Sequence, residues 1–100
     1  MTRLRTAPAA RQDICDIRAY SKARFGTAAG RQYLEGLSAA FDRLAERPFT
    51  GIGEHDLGGD MRSIAYRSHR IYYQLNGDDL LVVRILHHAR DISAVFGQPQ

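Results

Sequence analysis

The C-terminal half of the chain gathers the side chains with the most chemical potential: Arg62, Arg67, Arg70, Arg84 and Arg90, together with His69, His87 and His88. A guanidinium is a planar fork that grips phosphate or carboxylate through two parallel hydrogen bonds. Several of them on β-type segments describe a basic sheet face. Such a face is what RNA cleavage without a metal would need, to hold a phosphate and neutralise the charge that develops on it. The same arginines are also ordinary occupants of solvated strand positions. Tyr66, Tyr72 and Tyr73 lie in this stretch too and are able to stack on nucleobases. Aromatic residues on antiparallel strands, however, serve more often as cross-strand packing. Neighbouring strand residues point to opposite faces. Ile71, Tyr73 and Leu75 therefore form the more apolar stripe, and Tyr72 is expected on the open face with Arg70. The same alternation keeps His87 and His88 from chelating one ion, so no metal is expected.

Other catalytic signatures are missing. There is no glycine-rich phosphate loop, His-Glu-x-x-His helix, cysteine pair or Gly-x-Ser-x-Gly elbow, and no cofactor is implied. A chain of 100 residues accommodates one core, so residues 1–100 are read as one domain. Its 44% hydrophobic and 25% charged content is that of a globular protein. All but one of the 14 basic residues are arginines, the exception being Lys22, and the net charge of +3 favours acidic partners. Cys15 is the sole cysteine, which excludes an intramolecular disulfide and fits a reducing cytosol. Residues 1–11 lack the apolar core of a signal peptide, and no run approaches the roughly 18 apolar residues of a membrane helix. A cytoplasmic protein with no membrane contact is expected.

The elements that must position these residues follow from spacing. Leu4 among Arg3, Arg5 and Thr6 suggests an edge strand, and Pro8 suits the first turn of a helix. From Pro8 to Arg24 the apolar Ala10, Ile14, Ile17 and Tyr20 recur at helical spacing, with Arg11, Asp13, Asp16, Arg18 and Lys22 on the wet side. Gly26 closes this helix and Thr27 is placed to cap a second one, from about Ala28 to Glu46, with Tyr33, Leu37, Phe41 and Leu44 as its stripe. Pro48 ends it. The glycine-rich stretch from Pro48 to Asp60 reads as a mobile connection. Three strands follow, 61–66, 69–75 and 80–87, the last two joined by an Asn76-Gly77 hairpin turn. The expected fold is α+β: an N-terminal strand, an αα-hairpin, then a three-stranded antiparallel meander with both helices on one sheet face.

Certain segments resemble the RelE/ParE superfamily of bacterial type II toxins: Arg62-Ser63-Ile64, His69-Arg70-Ile71-Tyr72-Tyr73, and Val83 to Asp91. Pro8-Ala9-Ala10, Asp13-Ile14 and Pro48 are similar to the same family, so the resemblance spans nearly the whole chain. It implies a ParD-like antitoxin that orders on contact and wraps the toxin as a hetero-oligomer. Arg84-Ile85-Leu86-His87 and Ala89-Arg90-Asp91 look like the ParE branch, which inhibits DNA gyrase by protein contact, and no tyrosine follows Tyr73. On that reading no residue is catalytic, and Arg62, Arg70, His87 and Arg90 are the expected contacts with target or antitoxin. The alternative is a RelE-type nuclease that cleaves messenger RNA on the ribosome. It would use Glu54 as general base, Arg70 as phosphate clamp and His88 as general acid. A second alternative is a non-toxic nucleic-acid-binding domain.

Overall fold

A computed structural model describes residues 2–88 and 92–96. The chain forms β1 (Arg3–Thr6), α1 (Pro8–Phe25), α2 (Thr27–Glu46), β2 (Ile52–Gly53), a 3-10 turn (His55–Leu57), β3 (Met61–Tyr66), β4 (His69–Asn76), β5 (Asp79–His87) and α3 (Ile92–Phe96). Pro8 starts α1 because the first helical residue needs no intrahelical N–H partner. Gly26, at φ 95°, both closes α1 through its N–H to the Lys22 carbonyl and caps α2. The expected cap, Thr27, is instead the first residue of α2, and no side chain caps that helix. One left-handed glycine makes the whole turn, which leaves no non-helical position for Thr27.

Five strands lie in the order β1-β5-β4-β3-β2. The expected meander of β3, β4 and β5 is present, with Gly77 at φ 61° in the β4–β5 turn. β1 is an edge strand, as expected, and pairs parallel with β5, from Arg3 opposite Asp79 to Thr6 opposite Val82. The connection read as mobile is tied down, because β2 pairs antiparallel with β3 and the Tyr73 hydroxyl pins the preceding loop. That hydroxyl accepts from the Gly51 N–H at 2.9 Å and donates to the Pro48 carbonyl at 2.8 Å. Gly51 has to be glycine there: a Cβ would stand 2.4 Å from the Tyr73 oxygen.

The core lies between the helix hairpin and one sheet face. It joins Ala10 and Ile17 of α1 and Leu37, Ala40 and Leu44 of α2 to Ile71, Tyr73, Leu80, Val82 and Ile85 of the sheet. The opposite face is not open as expected. Met61, Tyr72 and Leu86 form a second cluster that Ile92, Val95 and Phe96 of α3 cover, and Tyr72 is only 4% exposed. The five residues of α3 carry too little pattern to be read from the sequence.

One interaction couples α1 to the sheet. Val82 and Ile85 both pack in the helix-side core although they are three residues apart, which strict alternation forbids. Parity breaks at a bulge opposite Tyr72 and Tyr73. Beside that bulge Arg84 forks onto Asp13, at 2.7 Å from Nε to Oδ2 and 2.9 Å from Nη2 to Oδ1. Oδ2 also accepts the Ile85 N–H at 2.9 Å. Asp13, expected on the wet side of α1, is therefore buried. Its spacing from Ala10 and Ile17 already placed it on the core stripe, and its charge masked that. Tyr20, expected in the core, is 60% exposed, while Ser21 takes the inward position.

Asp13→Ala leaves the Arg84 guanidinium and the Ile85 N–H without their acceptor. It should lower stability by about 3–5 kcal/mol in denaturant unfolding. Tyr73→Phe strands two backbone groups and should lower it by about 1–3 kcal/mol, with faster proteolysis between Pro48 and Asp60 than in the parent chain.

Candidate functional site

A groove of about 730 Å³ opens where the helix hairpin meets the end of the sheet. Ile17, Tyr20 and Phe25 of α1 and Tyr33 of α2 form one wall; Arg67, His69 and His87 form the other. Tyr20 and Phe25 are 60% and 66% exposed. Two large, exposed aromatic side chains at a concave site are the usual anchors of a protein interface.

Tyr33 and His69 join the two walls. The Tyr33 hydroxyl lies 2.5 Å from His69 Nδ1, and the two rings meet edge to face. Tyr66 donates to the Tyr33 carbonyl at 2.8 Å and packs edge-on against the Tyr33 ring. Gly36 makes room for it, since a Cβ there would lie 2.1 Å from the Tyr66 oxygen. The Arg67 guanidinium sits over both tyrosine rings, 5.4 and 5.7 Å from their centroids. Arg67 holds φ 52°, a left-handed conformation uncommon for a side chain of its size. His69 continues into a histidine ladder: His87 lies edge-on at 5.5 Å and His88 stacks on His87 at 4.4 Å.

Burial is the main influence that lowers the pKa of His69 from its usual 6.5, and charge on His87 and then His88 adds to it; Asp13 opposes weakly. The shift favours the neutral ring, whose Nδ1 accepts from the Tyr33 hydroxyl in one tautomer and donates to it in the other. Burial likewise raises the pKa of the Tyr33 hydroxyl, which keeps it protonated.

The residues expected from the sequence do not form one patch. His87 is exposed and lines the groove. Arg70 lies on the other sheet face, half-buried, and donates to the Ser63 hydroxyl at 2.8 Å. Arg62 stands opposite Tyr73, donates to the Gly51 carbonyl at 3.0 Å and covers the Phe49 ring at 5.0 Å. Arg90 lies outside the described residues. Glu54 and Arg70 are brought together indirectly: Ser63, 1% exposed, donates to Glu54 Oε2 at 2.5 Å while accepting from Arg70. The backbone and Nδ1 N–H groups of His88 both donate to the Ser68 carbonyl at 2.9 Å. No hydrogen bond or ion pair among the described residues joins His88 to Glu54 or Arg70. Nor does any group of three or more His, Cys, Asp or Glu among those residues suit a metal ion. Tyr33, His69 and Arg67 were missed as neighbours because the contact spans α2 and the β3–β4 turn. Ser63 offered one signal, a small hydroxyl on the same strand face as Met61 and at the centre of the strand.

Residues 4–92 match the family model of the ParE toxin of type II toxin–antitoxin system, parDE. The chain is 31% identical over 88 residues to Toxin ParE1 of Caulobacter vibrioides, covering 88% of this chain and 91% of that one. Toxin ParE3 of the same organism is 27% identical over 87 residues, covering 87% and 80%. A solved structure of a chromosomal ParDE TA system from P. aeruginosa superposes with a TM-score of 0.76, covering 87% of this chain and 96% of that one. At 15% identity that likeness is one of fold.

Because unfolded His69 takes up a proton near 6.5 and the folded residue does so only at lower pH, the unfolded state binds more protons below 6.5. Stability should fall as pH drops from 6.5 and level off once the folded ring is protonated. Urea unfolding at a series of pH values should show this slope, and His69→Phe should flatten it.

Proposed function

The chain belongs to the ParE toxin family of type II toxin–antitoxin systems, and from that premise we propose that a ParD-like antitoxin neutralises it and that the free toxin inhibits DNA gyrase in the cytoplasm by protein contact. The observation that carries this reading is the groove between hairpin and sheet, where the exposed aromatic side chains of Tyr20 and Phe25 stand beside a polar border that includes Asp16, Gln32, Arg67 and His87. A partner segment that orders on contact can lay apolar side chains between Tyr20, Phe25 and Tyr33, as helix-in-groove recognition does. Arg67 and His87 at its border supply the polar rim that fixes register.

A metal-independent ribonuclease is the second reading, and one observation favours it: Glu54 and Arg70 converge on the same hydroxyl. A general base and a phosphate clamp must, however, be free to meet the substrate. Here Glu54 and Arg70 are each engaged with a serine that is almost wholly buried, so the trio works as a strut between the 48–60 loop and the sheet. His88 is similarly turned toward the Ser68 carbonyl.

Purified toxin should inhibit gyrase supercoiling and trap cleaved DNA, and added antitoxin should reverse both. Glu54→Gln and His88→Ala should retain that inhibition, whereas Tyr20→Ala with Phe25→Ala should weaken antitoxin binding by about 10- to 100-fold. Loss of toxicity in Glu54→Gln with antitoxin binding intact, and no effect of the parent chain on gyrase, would move the assignment to ribosome-bound messenger RNA.

A further inference from the structure

The helix hairpin carries a second groove, about 460 Å³, on the side away from the first. Its walls are Arg18 and Lys22 of α1 and Arg31 and Glu35 of α2, and Gly30 and Leu34 make its floor. Residues 16 and 20 of α1 and 29 and 33 of α2 line the first groove; residues 18 and 22, and 31 and 35, line the second. Positions two apart on a helix are separated by roughly 200°, so the two grooves occupy opposite faces of the hairpin.

The charge of this second groove is uncompensated. Arg18, Lys22 and Arg31 are exposed, and no carboxylate among the described residues forms an ion pair with any of them, Glu35 included. Arg18 and Lys22 are like charges one helical turn apart, an arrangement that helix formation alone disfavours. The first turn of α2 carries no acidic residue, so the positive end of its dipole adds to the same field. By contrast, Asp13 is matched to Arg84 and Asp79 to Arg3. The chain thus pairs charges where they hold elements together and leaves three cations unpaired around an apolar floor.

We infer that this outer groove is a second docking surface, and that it takes an acidic, amphipathic polypeptide segment whose carboxylates meet Arg18, Lys22 and Arg31 and whose apolar side chain seats on Leu34 and Gly30. Its volume falls within the roughly 300–1,000 Å³ that encloses a few side chains. An apolar floor suits an amphipathic peptide better than a phosphate backbone, which gains nothing from Leu34. The inference stands whichever complex the toxin inhibits, and it gives the hairpin two faces able to hold different partners at once.

The test uses a labelled synthetic peptide with glutamates along one edge and leucines along the other, followed by fluorescence polarisation and by backbone amide shifts of the full chain. Shifts should cluster at residues 18, 22, 30, 31 and 34, and binding should weaken about tenfold or more when salt rises from about 0.05 to 0.5 M. Lys22→Glu with Arg31→Glu should weaken it at least as much. Arg5→Glu with Arg47→Glu makes the same change in net charge elsewhere and should have little effect. Equal loss in both double variants, or shifts spread over the surface, overturns the site. Tighter binding of a single-stranded DNA oligonucleotide to the same residues overturns the peptide assignment. The shift map needs no substitution, so the inference stays testable even if a variant folds poorly.

Discussion

A single carboxylate organises this molecule. Asp13 projects from the second turn of α1 and accepts three hydrogen bonds from β5, two from the Arg84 guanidinium and one from the Ile85 N–H. An unpaired charge at that depth would destabilise the fold, so the pair is tolerated only because the fork is bidentate and the remaining lone pair finds a backbone donor. The bulge beside Arg84 returns Ile85 to the helix-side core, where unbroken alternation from Val82 would have turned it away. Asp13 hydrogen-bonds the strand that carries His87, from the helix that carries Tyr20 and Phe25, and so sets the distance between the two walls of the main groove.

A similar economy governs the rest of the polar interior. No buried side-chain nitrogen or oxygen among the described residues lacks a hydrogen-bond partner. Tyr73 anchors the loop before β2, Tyr66 ties β3 to α2, and Ser63 joins Glu54 to Arg70. Each of these groups is a tyrosine or serine on the sheet whose hydroxyl reaches a neighbouring element. β3 and β4 thus fasten α2 and the 48–60 loop through hydroxyls, while β5 fastens α1 through an ion pair.

That pattern explains which parts were legible in the sequence. Periodicity carried the hairpin and the β3–β5 meander, because Leu37, Leu44, Ile71, Tyr73 and Val82 repeat at helical or strand spacing and bury as that spacing demands. Gly26 and Asn76-Gly77 marked their turns through conformations that other residues adopt at a penalty. What periodicity misread were polar residues at buried positions. Asp13 looked wet because charge usually means solvent, and the partner that reverses this lies 71 residues away. Tyr20 looked buried because it is aromatic and at helical spacing from Ile17, yet it lines the open groove. The short β2 and α3 carry no period of their own and exist through pairing with β3 and packing on Tyr72 and Leu86. Arg70 and Glu54 were singled out for chemistry by side-chain type, but their neighbour Ser63 gives them a structural task that type alone does not disclose.

The distribution of charge follows from the same division. Arginines that serve the fold are held by specific acceptors: Arg84 by Asp13, Arg70 by Ser63, Arg62 by the Gly51 carbonyl, Arg3 by Asp79. Those on the hairpin's outer face have no such acceptor, and a chain this small gains nothing in stability from holding like charges together. Their benefit has to arise in a complex, where a carboxylate partner releases the repulsion and the association is drawn in by the field. A member of a toxin–antitoxin family has use for two faces of different chemistry, one bearing exposed aromatic residues, the other basic. The hairpin provides both because the two stripes of each helix lie roughly 200° apart, so occupying one face leaves the other in solvent.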